Sequence, residues 1–129
     1  MQKKILIVED DKFIAELIKF YLDEEGYETK VIMKEDNIIE KIHQYAPDVI
    51  TLDVFLEKTS GIRNFEYIKN DKRTRDIPVI FISGASLPSL KLKEMGAAGY
   101  LSKPYQAHEI KNVIKKIIKG TCDEENIDC

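Results

Sequence analysis

The chain has 129 residues, a formal net charge of −3, 43% hydrophobic and 33% charged residues, which suits one core and is short for two. No apolar run approaches the roughly 18–20 residues of a membrane span, and the acidic balance argues against a general nucleic-acid surface. Cys122 and Cys129 lie at the extreme carboxyl end without zinc-ligand spacing or a nearby histidine; they read as incidental cytosolic thiols, with a redox role the alternative.

The apolar run 5–8 stops at Glu9-Asp10-Asp11, too brief for a signal-peptide core. It reads as a strand covered on both faces, in a cytoplasmic protein. Asp11 reads as an N-cap with an acidic first turn. Phe13, Ile14, Leu17, Ile18, Tyr21 and Leu22 then recur at helical spacing and predict an inward face, ended by Gly26. Residues 27–33 predict a second strand, 36–45 a helix with Ile38, Ile39 and Ile42 inward, and Pro47 closes the connection. A third strand over 49–52 ends at Asp53, and Phe65 and Ile68 predict a helix reaching about Asn70. Residues 78–82 predict a fourth strand reaching Ser83, and 89–95 a short helix stopping at Gly96. Tyr100-Leu101 predicts a brief fifth strand before Lys103-Pro104. Ile110, Val113, Ile114, Ile117 and Ile118 mark a last helix ending near Gly120.

Five strand–helix units predict an α/β, flavodoxin-like (βα)5 domain. The expected architecture is a five-stranded parallel sheet of order 2-1-3-4-5 with helices on both faces. Residues 1–120 form the domain in this reading, and 121–129 an acidic tail or the start of a linker.

Ligands of open α/β sheets bind at the carboxyl ends of the strands. Strand 1 runs into Glu9, Asp10 and Asp11, strand 3 into Asp53, strand 4 into Ser83 and strand 5 into Lys103. Strand 2, leading to Lys34-Glu35, is an edge strand away from this cluster. Clustered carboxylates cannot all stay ionised without a cation, and a hard divalent ion such as Mg2+ suits oxygen donors. Lys103 adds a second positive charge and Ser83 a hydrogen-bond donor. Phosphoryl transfer to a carboxylate needs these parts.

Four segments carry a resemblance: Ile5-Leu6-Ile7-Val8-Glu9-Asp10-Asp11, Pro47-Asp48-Val49-Ile50-Thr51-Leu52-Asp53, Pro78-Val79-Ile80-Phe81-Ile82-Ser83-Gly84, and Gly96-Ala97-Ala98-Gly99-Tyr100-Leu101-Ser102-Lys103-Pro104. In order and at this spacing, they resemble the CheY-like receiver domains of two-component response regulators, over the chain to about Gly120. The resemblance implies that Asp53 accepts a phosphoryl group from a sensor histidine kinase or a histidine phosphotransfer protein. It implies Mg2+ held by Asp10, by Glu9 through water, by Asp53 and by the backbone carbonyl of Phe55. Ser83, Tyr100 and Lys103 would contact or follow the phosphoryl group, with Lys103–Pro104 cis. The output implied is a shift of the face formed by helix 4, strand 5 and helix 5, read by a downstream protein partner, without nucleic-acid or membrane contact by this chain.

The chain departs from the family pattern in places. Glu57 stands where the family usually has proline. Phe55 and Ala85 occupy the positions that tune dephosphorylation, and bulky Phe55 is expected to lengthen the phosphoryl lifetime. The stretch from Ser83 to Lys103 is about two residues short by comparison with the family and carries Pro88, so an irregular or short fourth helix is expected. His43 and His108 read as surface residues. Lys111, Lys115, Lys116 and Lys119 read as an exposed helical stripe, or else a docking patch. A stand-alone regulator and the front of a longer one both fit. An aspartyl-nucleophile phosphatase is the rival enzyme class, although its second acid would fall at Phe55. A phosphorylation-independent binding module is the other alternative.

Overall fold

A computed structural model describes residues 2–33, 37–54, 61–83 and 94–119, apart from the side chain of Ser83. In chain order these form β1 (Lys4–Val8), α1 (Lys12–Glu24), β2 (Glu28–Ile32), α2 (Ile38–Tyr45), β3 (Val49–Asp53), α3 (Gly61–Asn70), β4 (Val79–Ser83), β5 (Gly99–Ser102) and α4 (Ala107–Lys119). The strands make one parallel sheet of order β2-β1-β3-β4-β5, the order the sequence predicts. The predicted helix over 89–95 falls almost wholly outside the described residues, as do Cys122 and Cys129. Among the described residues no helix is long and apolar enough to cross a membrane.

Period-two alternation assigns each strand residue to one of two cores. Leu6, Val8, Ile50, Leu52, Val79 and Phe81 face α2 and α3, where Phe81 meets Phe65 edge-on at 4.9 Å. Ile5, Ile7, Val49, Ile80, Ile82 and Leu101 face α1 and α4, against Ile18, Leu22, Ile110 and Ile114. Both faces of the central strands are therefore covered. That is why β1 and β4 read as continuous apolar runs rather than alternating ones, and β3 as a run broken only by buried Thr51.

α1 starts on a side-chain cap and ends on a glycine. The Asp11 carboxylate accepts from the amides of Phe13 at 2.9 Å and Ile14 at 3.1 Å. At the other end Gly26 adopts φ 87°, with Gly26 N–H donating to Asp23 O and Tyr27 N–H to Leu22 O, the pattern of a Schellman cap. α2 ends differently, on Ala46 in the left-handed region at φ 54°.

Two expectations need correction. Phe13 and Leu17 do not face inward: they are 86% and 46% exposed, while α1 buries Ala15, Ile18 and Leu22. A helix lying on a sheet buries one stripe, and six apolar positions span too wide an arc to share it. Phe13 and Leu17 lie on roughly the opposite side from Ile18 and Leu22. Lys111, expected on an exposed stripe, is half-buried against the carboxyl end of α1, 3.2 Å from Glu24 and 3.7 Å from Glu25. Those acids stand at the negative end of the α1 dipole, where a cation is favourable.

Candidate functional site

Three strand ends deliver the site. β1 passes directly into Glu9, whose amide continues the ladder by donating to Ile32 O at 3.2 Å. Glu9 is 2% exposed, and its Oε2 accepts from the Asp11 amide at 3.1 Å. Asp53 is the last residue of β3 and only 5% exposed. By strand parity it shares the α1–α4 side with Val49 and buried Thr51. From the segment after β5, Lys103 Nζ comes within 3.5 Å of Asp53 Oδ2 and 3.8 Å of Glu9 Oε1. The Lys103–Pro104 peptide bond is cis.

Among the described residues, two nearly buried carboxyl groups share the Lys103 ammonium, and Glu9 responds by holding its proton: its pKa rises from 4.5 to about 8. Burial is the largest cause, followed by the neighbouring Asp53 carboxyl; the Asp11 amide and Lys103 act in the opposite direction. Among the described residues Glu9 Oε1 is buried without a hydrogen-bond partner. Among the described residues no three His, Cys, Asp or Glu side chains form a ready-made cation cage. Lys103 is the positive charge bridging Glu9 and Asp53.

The predicted residues are brought together in part. Glu9, Asp53 and Lys103 converge, and half-buried Asp10 follows Glu9 in the chain. Tyr100 is half-buried but packs with Met95 and Ala97 against the α2–α3 core, the face opposite to Asp53 by parity. Ser83 ends β4 in register with Ser102. Phe55, Glu57 and Ala85 lie outside the described residues. One neighbour escaped the sequence reading. Tyr105 is half-buried against the α1–α4 core, and its phenol is pushed up to about 12 by burial, then by Glu9, Tyr21 and Asp53. Its only signal in the sequence is that it follows Lys103-Pro104, where the chain turns back over the same sheet edge.

The response regulator receiver domain matches residues 5–115. The chain belongs to that family. Receiver domains accept phosphoryl groups from histidine kinases and generally bind Mg2+ at the phosphorylation site. The receiver is 31% identical over 121 residues to the phosphate regulon transcriptional regulatory protein PhoB of Escherichia coli, covering 92% of this chain and 53% of that protein. It thus spans about half the length of the curated relatives it matches. The signal receiver domain of a signal transduction histidine kinase from Syntrophus aciditrophicus superposes with a TM-score of 0.80 at 28% identity, covering 92% of each chain. A signal receiver domain from Vibrio parahaemolyticus gives a TM-score of 0.84 at 24% identity, over 100% of this chain and 99% of that one, a likeness of fold.

Proposed function

We propose that Asp53 is the phosphoacceptor of a two-component relay, taking a phosphoryl group from a phosphohistidine on a sensor histidine kinase or a histidine phosphotransfer protein. The observation that carries this reading is a buried Asp53 carboxylate with the Lys103 ammonium 3.5 Å away, beside a second buried acid, Glu9. An Asp53 oxygen attacks phosphorus as the P–N bond to the donor imidazole breaks. The electron pair of that bond stays on the imidazole, and Asp53 becomes an acyl phosphate. Lys103 faces the incoming charge and stabilises it electrostatically. In this reading the receiver is a switch rather than a turnover enzyme.

Mg2+ fits the crowding of Glu9 and Asp53 around one described ammonium. The donor set is all hard oxygen, and among the described residues Glu9 Oε1 is buried without a hydrogen-bond partner. Glu9, Asp10 and Asp53 would hold the ion, with the Phe55 backbone carbonyl, outside the described residues, as a further ligand. When bound, the ion would neutralise charge on the phosphoryl oxygens. Ser83 and Tyr100, at β4 and β5, would carry the change outward to the face of segment 89–95, β5 and α4, where a downstream protein reads it.

The donor must cover the sheet edge that holds Asp53, and α1 starts at that edge. Phe13, Leu17 and Phe20 form an apolar stripe on the outer side of α1, with Phe20 57% exposed. This stripe is the contact surface we assign to the phosphodonor.

Incubation with Mg2+ and acetyl phosphate tests the acceptor. The expected result is one base-labile phosphoryl group by intact mass, absent from Asp53→Asn. Equal behaviour of the two proteins would overturn the reading, and rapid multiple turnover of phosphomonoesters would indicate an aspartyl phosphatase instead.

A further inference from the structure

We infer that Gly61 is a positioning residue for Asp53, because α3 begins against the carbonyl end of β3; the inference rests on the phosphoacceptor reading of Asp53. Gly61 is buried, and its amide donates to Val54 O at 3.4 Å. A Cβ at this position would lie 2.5 Å from Asp53 O and 3.0 Å from Val54 N, with Val54 Cα nearer still. Real Cβ atoms essentially never come under 3.0 Å, so any larger residue must part helix and strand end by about half an ångström or more.

That displacement has few outlets. All three obstructing atoms are backbone, so no rotamer change relieves them. The strand end is held to β4 by Val54 N–H donating to Ile82 O at 3.3 Å, and β3 is held to β1 by the Val8–Leu52 register. α3 is anchored by Phe65 and Ile68 in the core. The strain therefore falls on the Asp53–Val54 backbone, and with it on the 3.5 Å approach of Asp53 to Lys103. The need at Gly61 is for space and not for a positive φ, which among the described glycines belongs to Gly26 and Gly96. Gly26 supplies the matched control: φ is 87° and a Cβ there would meet nothing within 4 Å, so alanine strains the backbone without touching the site.

The test compares acetyl phosphate modification of wild type, Gly61→Ala and Gly26→Ala in Mg2+, well below each unfolding transition. Misplacement by about 1 Å can cost about a hundredfold, so Gly61→Ala should lower the maximal rate about tenfold or more, while Gly26→Ala stays within about twofold of wild type. The half-saturating acetyl phosphate concentration should not change, separating positioning from donor binding. A wild-type rate in Gly61→Ala, or equal slowing in both variants, overturns the inference. If Gly61→Ala does not fold, the comparison is repeated in an excluded osmolyte at low temperature. A chain still unfolded there also overturns it, since Gly61 would then serve the fold rather than the placement of Asp53. Failure of wild type to be modified at all overturns the phosphoacceptor reading instead.

Discussion

Replacing Glu9 by glutamine should stabilise the metal-free receiver, and by an amount that depends on pH. Glu9 titrates at 4.5 unperturbed and at about 8 in the folded protein, burial being the main cause. The folded state thus binds this proton more tightly than the unfolded state. The sign follows by linkage: the contribution is fully present below about pH 4.5 and is lost as pH rises through about pH 8. At about 1.4 kcal/mol per pH unit, that window sets a ceiling of several kcal/mol. Part of it is offset because glutamine gives Lys103 no counter-charge. Glutamine keeps an oxygen for the Asp11 amide and gains N–H donors for Asp53. We expect Glu9→Gln to match wild type near pH 4.5 and to exceed it by about 1–3 kcal/mol near pH 8.5. Urea unfolding with a chelator present, followed by circular dichroism at both pH values, measures this directly. Excess Mg2+ should then favour wild type and close the gap, because the ligand stabilises only the form that binds it. Equal midpoints at both pH values, or a less stable variant at the higher one, would refute the reasoning.

Other substitutions separate the site from the scaffold. Lys103→Ala removes the ammonium shared by Asp53 and Glu9; acetyl phosphate modification should slow about a hundredfold by intact mass, with secondary structure retained. Ala46→Gly relieves a left-handed alanine at φ 54° and should raise stability by about 0.5–1 kcal/mol in urea unfolding. Thr74→Val deletes a buried hydroxyl that donates to Ile68 O at 2.7 Å; a loss of about 1 kcal/mol is expected in the same assay, with the modification rate unchanged.

The sheet was legible because its central strands carry an unusual burden. β1, β3 and β4 are buried on both faces, so 5–8 and 79–82 are apolar without interruption and 49–52 is broken only by buried Thr51. The first polar residue after each run marks the carboxyl edge of the sheet, and Glu9 and Asp53 were found that way. The strand ends stayed blurred by a residue. Lys4 and Asp53 pair in the ladder although neither is apolar, because pairing depends on backbone groups rather than side chains. Ala46 carried no signal for its cap, since the sequence supplies an ordinary alanine where the backbone takes a left-handed turn.

α1 shows where sequence periodicity loses its authority. Spacing reports that a helix is rich in apolar residues, but not which of them a sheet will cover. Here the covered set is Ala15, Ile18 and Leu22, and one of its three members is small. The larger Phe13, Leu17 and Phe20 are left outside. On cost alone that is the wrong way round, because burying a Phe side chain stabilises by about 1.5–3 kcal/mol relative to leaving it in water. Ala15 is 1% exposed, and the far larger phenylalanine at that position would overpack the buried side of α1 and push the helix outward. Closeness of α1 to the sheet also keeps the Asp11 cap, and with it Glu9, at the carboxyl edge beside Asp53. The same helix therefore caps onto Glu9's neighbour Asp11 on one side and leaves Phe13, Leu17 and Phe20 exposed on another, the stripe proposed above to meet the phosphodonor.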